Sequence, residues 1–518
     1  MSHELELKLE LQSKRAPALA RIAQLLERDP AEPERVEELE SLYFDTPQGK
    51  LRRHGVLLRI RRDGTRSLQT IKWLKRSAVF DRGQSETEIS GKRPDWAAAR
   101  GTALEPLLSK KLRRSLRPLF KTKVRRTIYP VTTEKAEIEL AIDDGSINAG
   151  RRSQPVRELE LELKRGQSSE LFHVARALSR TLPVRLSLKS KAERGYELLN
   201  GQSPVAIKAR PVELYSGTSA AEAFRIVARS CLTQIVANEA GVKSRDSEAL
   251  HQIRVGLRRL RAAISFFSNM VAGRPTESIK TELKWVTQEL SLARDLDVYI
   301  SEVLAPFREQ HKDNTEFRSL YRDFERRRAE AFGRAVDAVG SDRYRDLLIE
   351  LAAWIEAGAW SQPDDQAERA SHERPIEIHA GERLTRWRKK IVKKAKTFDR
   401  LDAAERHGLR IAVKKFRYAT EFVANIFPSK KSTRRRTALL NAAKRIQDCL
   451  GSLNDIAVHE MLNLGMLDGQ AEASPKLLRG RAFVAGLVSG QEEARIAKLT
   501  KGTVAALADF RAVKPFWN

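Results

Sequence analysis

Apolar and polar residues alternate with a period of two along several stretches of the first 200 residues. Residues 4–11 read Glu-Leu-Glu-Leu-Lys-Leu-Glu-Leu, residues 158–164 read Glu-Leu-Glu-Leu-Glu-Leu-Lys, and residues 137–140 repeat the alternation. Because successive side chains of a strand point to opposite faces of a sheet, these stretches predict β-strands with one charged face and one apolar face.

Further elements are predicted around these strands. Residues 57–61 and 68–72 have the composition of paired strands, and Asp63-Gly64 between them is a typical turn sequence, so a hairpin is predicted. Residues 16–27 and 171–182 have helical spacing and predict two helices that flank the strands.

The pattern changes beyond residue 200. The Gly and Pro residues between Gly201 and Pro211 predict a linker, and after it apolar positions recur at helical spacing with few Gly or Pro. The polar, acidic stretch Ser361–Pro375 predicts a loop inside this helical half.

The helical half contains an internal repeat. Residues 251–261 and 407–417 both read H-x-x-R-x-x-x-[RK]-[RK]-x-R and are 156 residues apart. Residues 290–298 and 450–458, 160 residues apart, follow in the same order and share Leu, Asp and Val positions. This repeat predicts two related helical units in one domain.

Length and composition limit the class of protein. A chain of 518 residues is too long for one ordinary hydrophobic core, so at least two domains are expected. No apolar run is long enough to predict a membrane span, and the N-terminus lacks the apolar segment of a signal peptide. Two cysteines, Cys231 and Cys449, cannot form a disulfide framework or a four-thiolate zinc site, which favours a reducing cytoplasm.

The net charge of +28 indicates a phosphate-rich partner. Residues 1–200 contain 41 Lys+Arg and 28 Asp+Glu (net +13), and the remainder contains 55 and 40 (net +15), so both halves are basic. Nucleic acid, polyphosphate, nucleotides and acidic lipid all fit this charge. Aromatic residues make up only 6% of the chain and form no basic-aromatic platform that could stack bases, which disfavours nucleic acid.

The charged strand faces carry both signs. Glu6 and Lys8 share a face of one strand, and Arg59 and Arg61 share a face of another. In a one-sided sheet these faces would be the wet surface. If the sheet closes into a barrel, they line its interior, where charges need partners. Phosphates with divalent cations supply both, because carboxylates bind Mg²⁺ or Mn²⁺ and arginines bind phosphate oxygens.

The order of these residues resembles the CYTH superfamily, the triphosphate tunnel metalloenzymes. Its E-x-E-x-K signature corresponds to Glu4-x-Glu6-x-Lys8, which alone is a weak motif. The specific feature is the ordered series over residues 1–200: Tyr43-Phe44-Asp45-Thr46-Pro47, Leu58-Arg59-Ile60-Arg61, Thr70-Ile71-Lys72, Glu86-Thr87-Glu88, Arg126, Glu139 with Asp143, Glu158-x-Glu160-x-Glu162 and Ser190-Lys191-Ala192-Glu193-Arg194-Gly195-Tyr196. One position departs from the family, which often has an Arg where this chain has Gln84; the next Arg is Arg82.

The resemblance implies an eight-stranded antiparallel β-tunnel that hydrolyses a triphosphate with Mg²⁺ or Mn²⁺. Family members act on inorganic triphosphate or thiamine triphosphate, or cyclise ATP, and these alternatives stay open. The implied phosphate-binding, catalytic residues are Lys8, Arg59, Arg61, Lys72, Arg126 and Lys191. The implied metal ligands and their close neighbours are Glu4, Glu6, Glu88, Glu139, Asp143, Glu158, Glu160 and Glu162.

The predicted tunnel offers no obvious Ser, Cys or His nucleophile, which argues against a covalent intermediate. We therefore expect water to attack a terminal phosphorus directly, while metal ions and cationic side chains neutralise the developing charge.

The repeated helices carry basic stripes. At about 100° per residue, His251, Arg254, Arg258 and Arg261 share one arc of a helix, opposite an apolar arc, and residues 407–417 repeat the arrangement. One stripe alone would be an ordinary solvated face. Two stripes can face one groove and bind a polyanion, which would relieve the repulsion between like charges at i,i+4. The arginine neighbours argue against a metal role for the histidines.

These stripes resemble the CHAD domain, a helical module often found after a CYTH domain, from about Thr218 to the C-terminus. The resemblance implies a groove for inorganic polyphosphate and an association with polyphosphate granules. Asp295 and Asp297 are expected to support the stripe arginines, and the second copy keeps only Asp455 of this set. The implied ligands are His251, Arg254, Arg258, Arg259, Arg261, His407, Arg410, Lys414, Lys415 and Arg417.

Together the resemblances imply an α+β chain in three parts: the β-tunnel at residues 1–200, a linker at 201–216 and an all-α domain with internal duplication at 217–518. The predicted function is metal-dependent hydrolysis of inorganic triphosphate, or a related triphosphate, combined with polyphosphate binding in the cytoplasm. The alternative is a polyphosphate-binding protein whose tunnel does not hydrolyse a substrate.

Overall fold

The chain folds into two compact units. The first consists of Met1–Val205 and Asp342–Ser361, and the second of Ala206–Ser341 and Gln362–Asn518. The first unit thus includes a segment from the middle of the helical half, which nothing in the sequence had predicted. The computed structural model describes residues 5–12, 35–74, 82–201, 205–310, 314–362, 365–467 and 475–517.

Glu4 and the helix predicted at residues 16–27 lie outside the described residues. Within the described ranges, no helix combines the length and the apolar character that a membrane span requires.

An antiparallel sheet forms the framework of the first unit, and its described part has nine strands rather than the eight predicted. The hairpin predicted at Asp63-Gly64 is confirmed, because Asp63 pairs with Arg66 where two consecutive strands meet. The strands are β1 Leu5–Leu11, β2 Arg35–Asp45, β3 Val56–Asp63, β4 Arg66–Leu74, β5 Arg82–Ile89, β6 Arg117–Thr132, β7 Ala136–Ala149, β8 Arg152–Gly166 and β9 Val184–Ser187. They lie in the order β5-β4-β3-β2-β6-β7-β8-β1-β9.

Among the described residues, four α-helices accompany the sheet in the N-terminal part of the chain: α1 Lys50–Arg53, α2 Lys110–Ser115, α3 Ser168–Thr181 and α4 Lys191–Asn200. Helix α3 confirms the helix predicted at 171–182 and packs against β7, β8 and β9. Helix α4 packs against β6, β7 and β8. Its first turn is fixed by a capping box, in which the Ser190 hydroxyl accepts from the Glu193 amide and the Glu193 carboxylate accepts from the Ser190 amide.

One face of the sheet, called here the inner face, carries the charged residues. On β1 the leucines, such as Leu7 and Leu9, are buried on the opposite face. Lys8 pairs with Glu160 of β8, while Asp143 of β7 pairs with both Glu158 of β8 and Arg126 of β6. Cross-strand partners lie on the same face, so these residues from four strands share one surface.

The sheet curls so that distant strands face each other across the inner face. Lys8 on β1 and Lys72 on β4 are six strands apart in the sheet order. In a flat sheet that separation would be about 29 Å, at about 4.8 Å per strand. The Lys8 ammonium nevertheless contributes to lowering the pKa of Lys72, so the two strands approach across the inner face.

Helix α4 closes one end of the inner face with an apolar cluster. Ala192 and Tyr196 of α4 pack with Tyr43 and Phe120, whose rings stack with centroids 4.6 Å apart. The Tyr196 hydroxyl donates to Asp45 at 2.9 Å, and burial together with this carboxylate raises the pKa of Tyr196.

The buried Asp45 has a structural role. Its carboxylate also accepts the backbone amides of Leu51 at 2.8 Å and Arg52 at 3.0 Å, so it holds the start of α1. The Tyr43–Pro47 motif of the sequence thus fixes a helix start and the position of α4.

Helices of up to 38 residues build the helical half, and α12 belongs to the first unit. The stretch 361–375, predicted to be a loop, contains α13 instead. Asp365 precedes this helix, and its carboxylate accepts a hydrogen bond from the backbone amide of Glu368. The helices are α5 Ala220–Ala237, α6 Glu239–Lys243, α7 Ser247–Phe266, α8 Arg274–Glu289, α9 Ser291–Tyr299, α10 Ala305–Gln310, α11 Thr315–Gly340, α12 Asp342–Ala357, α13 Gln366–Glu373, α14 Ile376–Ala395, α15 Ala403–Phe422, α16 Lys430–Leu467 and α17 Pro475–Ala512.

Helices α7 and α15 carry the two copies of the basic stripe and pack against each other. The apolar arcs that were predicted opposite the stripes are buried, including Ile253 and Leu257 on α7 and Leu409 and Val413 on α15. The stripes are therefore on the sides of the helices that the core leaves free.

Candidate functional site

Three carboxylates meet at the deep end of the inner face, next to α4. Asp143 on β7 pairs with Glu158 on β8, and Glu160 follows on the same face of β8. All three are buried, and an oxygen of each lies within 4.8 Å of the others. We call these three residues the inner carboxylates.

Cationic side chains fill the space between the inner carboxylates. The Lys191 ammonium lies 2.6 Å from Asp143 Oδ2 and 3.0 Å from Glu160 Oε1, and it also contacts Glu158. The Arg126 guanidinium donates to both oxygens of Asp143 at 2.7 Å and to Glu160. Lys191 thus occupies the position that a metal ion bound by all three carboxylates would need.

Two further cations complete the cluster. Lys8 donates to Glu160 at 2.7 Å, and Arg194 donates to Glu158 at 3.3 Å and to the Pro155 carbonyl at 2.6 Å. Four cations therefore surround three carboxylates, which leaves no excess of negative charge. The sequence motif contained Arg194, but its contact with the carboxylates was not predicted; its spacing one helical turn from Lys191 was the available signal.

Pairing with opposite charges outweighs burial for two members of this cluster, Glu160 and Lys191. Burial lowers the pKa of Lys191, but Glu160 and Glu158 raise it by more. Burial raises the pKa of Glu160, and Lys191 and Lys8 bring it well below its usual range. Glu160 and Lys191 therefore stay ionised at neutral pH. The pKa of Glu158 remains raised because its burial outweighs the effect of Lys191.

Arg194→Met is expected to lower the free energy of unfolding by about 3 kcal/mol, since it leaves the buried Glu158 and the Pro155 carbonyl with fewer partners. Urea unfolding of the full chain measures this. Arg125→Met is the matched control, because Arg125 is exposed and lies 3.8 Å from an exposed Glu38. An equal loss in both variants would show that the buried network contributes nothing specific.

A second carboxylate layer lies nearer the solvent. Glu6 pairs with Glu162, and Glu162 pairs with Glu139 across three neighbouring strands. Lys164 lies 2.9 Å from Glu162 and 3.5 Å from Glu139, and Lys8 lies 3.0 Å from Glu6. These outer carboxylates are more accessible and less compensated than the inner ones.

Glu88, the remaining described acid of the predicted metal set, is less well placed. Glu88 lies on the edge strand β5, opposite Leu68, and its side chain is exposed. Its neighbour on the same face, Glu86, accepts a hydrogen bond from Thr70 at 2.7 Å.

A basic wall faces the carboxylates. Burial and Arg59 lower the pKa of Arg61, and burial with Arg59 and Lys8 lowers the pKa of Lys72 to about 8. The Arg59 Nε atom is buried and has no hydrogen-bond partner among the described residues. Cations that lower one another's pKa in this way are short of negative charge, so the wall would be stabilised by an anion.

Gln84 lies at the position that departs from the family pattern. It pairs with Lys72 across β4 and β5, and its side chain is exposed. Arg82 pairs with Leu74, two positions further along. The inner face therefore has a neutral amide beside Lys72.

The two basic stripes of the helical half converge. Burial and Arg258 on α7 both lower the pKa of Arg410 on α15, where burial is the larger effect. Burial, Arg410 and Arg258 lower the pKa of Lys414 to about 7. Because charges from the two copies affect one another, the stripes form one surface, called here the groove.

The first copy contributes His251 and Arg254 to the groove. Burial, Arg294 and Arg258 lower the pKa of His251 to about 4, so this ring is neutral at physiological pH. Arg254 donates to the Ser291 hydroxyl at 2.8 Å, and burial and Arg258 lower its pKa to about 10. The sequence had not predicted the contact with Ser291.

Several groove atoms have no partner of their own. His251 Nδ1 and the Nε atoms of Arg258 and Arg410 are buried without a hydrogen bond among the described residues, whereas Arg417 Nε lies 3.5 Å from Glu421 Oε1. Unsatisfied arginine donors in one basic surface favour binding of an anion with many oxygens.

The structure separates Arg259 from the groove. Arg259 is buried, donates to Gln234 at 2.7 Å and lies over the Phe422 ring. Its sequence neighbour Arg258 faces the groove instead, because the side chains of adjacent helical residues point in directions about 100° apart. The pattern of two consecutive basic residues could not show which one was buried.

The remaining stripe residues lie near the rim of the groove. Arg261 and His407 are exposed, and His407 Nδ1 lies 3.1 Å from Asn454 Oδ1. Burial, Arg261 and Lys280 lower the pKa of Lys415.

The acids of the repeated motif lie beside the stripes. Asp297 accepts a hydrogen bond from Arg294 at 3.1 Å. Burial raises the pKa of Asp295, against the effect of Arg254, and Asp455 raises it further. Asp295 and Asp455, at equivalent positions of the two copies, are therefore neighbours.

Comparison with known proteins matches both parts of the chain to families. Residues 2–196 match the CYTH domain, and residues 226–463 match the CHAD domain. An inorganic triphosphatase of Haemophilus influenzae is 32% identical over 172 residues, which cover 31% of this chain and 46% of that protein. The chain thus spans about half the length of this curated relative. The crystal structure of the CHAD domain from the plant Ricinus communis is 29% identical, with a TM-score of 0.50, and the match covers 60% of this chain and 99% of that one.

Proposed function

The chain contains a CYTH domain followed by a CHAD domain, and on this basis we propose that its inner face binds and hydrolyses inorganic triphosphate with a divalent cation. The observation that supports this proposal is the basic wall of Arg59, Arg61 and Lys72 facing carboxylates of opposite charge on one curled sheet. Such a surface suits a polyanion with a bound divalent cation.

The two sets of cations have different roles. Arg59, Arg61 and Lys72 have few acidic partners and bind the phosphate oxygens. Lys191 and Arg126 are already paired with the inner carboxylates, so they hold the framework and add positive charge beside the substrate.

The outer carboxylates suit a divalent cation better than the inner ones. Glu6 and Glu162 offer hard oxygen ligands in register on adjacent strands, and each has one lysine nearby. Lys191 stands between the inner carboxylates. When bound, Mg²⁺ or Mn²⁺ would neutralise phosphate oxygens and lower the pKa of a coordinated water.

The reaction is direct displacement. A water oxygen bonds to the terminal phosphorus, the bridging P–O bond breaks, and the products are phosphate and pyrophosphate, with one proton released to solvent. Arg59 and Arg61 hold the oxygens on which charge develops. Among the described residues, the charged side chains that meet at this site are carboxylates, lysines and arginines, and water is the nucleophile of this proposal.

Phosphate release from full-length protein with Mg²⁺ or Mn²⁺ tests this function. Inorganic triphosphate, thiamine triphosphate and ATP are compared at equal concentration, with cyclic AMP measured for ATP. Preferred turnover of inorganic triphosphate is expected. Preference for another substrate would reassign the site, and no turnover of any of them would leave the chain as a non-catalytic polyphosphate-binding protein.

The groove is proposed to bind inorganic polyphosphate. Its basic residues come from two helices, lower one another's pKa and contain unsatisfied donors. A linear polyanion can contact both stripes at once. Binding of this kind would also direct the protein to polyphosphate granules.

Polyphosphate affinity is expected to fall by about tenfold between pH 7 and pH 9. The free Lys414 has a pKa of about 7, and a bound polyanion raises that pKa. Binding therefore takes up a proton above pH 7 and weakens as pH rises. Isothermal titration at several pH values measures this. Lys414→Arg should flatten the profile, and an unchanged slope in that variant would exclude Lys414 as its origin.

A further inference from the structure

A helix from the second half of the chain belongs to the first unit. Helix α12 lies inside the residues that match the CHAD domain, yet it packs against α3 and β9 of the first unit. The chain therefore passes between the two units three times: after Val205, after Ser341 and after Ser361.

Charges specify how α12 meets α3. The Arg176 guanidinium donates to both oxygens of Glu350, with Nη2 2.9 Å from Oε2. One turn further along, partial burial raises the pKa of Asp346, and Arg180 acts in the opposite direction. Arg180 lies four residues after Arg176 on α3, whereas Asp346 lies four residues before Glu350 on α12. This opposite order is that of two antiparallel helices.

Apolar side chains line the same helix. Tyr344, Leu348, Leu351 and Ile355 of α12 are buried and fall on one face at helical spacing. The helix therefore contributes a core face as well as the charge pairs.

The strand that α12 covers lies next to functional residues. Strand β9 has four residues at the edge of the sheet and pairs only with β1 in the described sheet order. That pairing sets Ser187 opposite Lys8 and Arg185 opposite Glu10. A short edge strand has few hydrogen bonds of its own and depends on what covers it.

We propose that α12 is the docking element by which the helical half stabilises the β9–β1 edge and thereby positions Lys8. The ion pair of Arg176 with Glu350, with Arg180 and Asp346 as neighbouring opposite charges, selects its orientation. Arg176 and Glu350 are then positioning residues that act through β9 on the inner face.

Hydrogen exchange of the full chain tests this proposal without relying on turnover. In Arg176→Glu/Arg180→Glu, the amides of β1 and β9 should exchange about tenfold faster, because like charges now face each other across the helix pair. Adding Glu350→Arg and Asp346→Arg restores opposite charges and should restore protection. Arg326→Glu is the control, since Arg326 pairs with Glu330 within α11 and both are exposed.

Native protection in Arg176→Glu/Arg180→Glu, the reversed variant, would overturn the proposal. It would also be overturned if the four-residue variant, which adds Glu350→Arg and Asp346→Arg, did not restore protection. If the reversed variant does not fold, the four-residue variant decides alone. Native protection in it supports the proposal, and loss of protection contradicts it.

Discussion

Replacing Glu6 and Glu162 together by glutamine is expected to lower triphosphate hydrolysis by about a thousandfold. The two carboxylates lie opposite each other on β1 and β8 and are the ones best placed to hold a divalent cation. Glutamine keeps their size and removes the negative charge. Steady-state phosphate release over a range of Mg²⁺ and Mn²⁺ concentrations measures the effect.

The fold should survive this change, because both side chains are partly exposed and neither belongs to the buried cluster. Glu137→Gln is the matched control, since Glu137 is an exposed acid of β7 that pairs with Arg165. Its activity should match the wild type. A double variant that keeps activity within about tenfold of the wild type would exclude the outer carboxylates as the metal site.

Replacing Arg258 and Arg410 together by alanine is expected to weaken polyphosphate binding by about a hundredfold at low salt. These residues bring the two copies of the basic stripe together, and their buried Nε atoms have no hydrogen-bond partner in the part of the chain that the structure describes. Loss of two phosphate contacts should also make the dependence of log affinity on log salt shallower by about 1.4.

The lower net charge of the Arg258→Ala/Arg410→Ala variant is not expected to cause this loss of affinity by itself. Arg322→Ala/Arg326→Ala removes the same charge from exposed positions on α11 and should leave affinity nearly unchanged. Equal weakening in both double variants would mean that binding follows overall charge and that the groove is not a site.

The strands and stripes were predictable because burial imposes a period on the sequence. The alternating leucines of β1 mark its buried face, so Lys8 and Glu6 could be assigned to the other face. The apolar arcs around Ile253 and Leu409 marked the buried sides of α7 and α15 in the same way. Curling of the sheet then brings the charged residues together.

Other features depend on contacts that no local pattern records. That Lys191 lies between the inner carboxylates follows from how α4 packs on the sheet. Arg259 is buried because Gln234 and Phe422 come from other helices. The membership of α12 in the first unit depends on partners more than 150 residues away in the chain, such as Arg176.

The apolar cluster of α4 also affects how the length of a substrate chain changes its effective concentration. Side-chain exposure falls from 42% at Glu6 to 23% at Lys8 and 1% at Asp143, so the inner face deepens toward the end that Tyr196 fills. Under the proposed function, a linear phosphate chain is expected to enter such a site with a terminus leading, and every chain has two termini whatever its length. At a fixed mass of phosphate, the concentration of usable ends therefore falls in inverse proportion to chain length. Short chains are favoured by their number alone, before any difference in binding is considered.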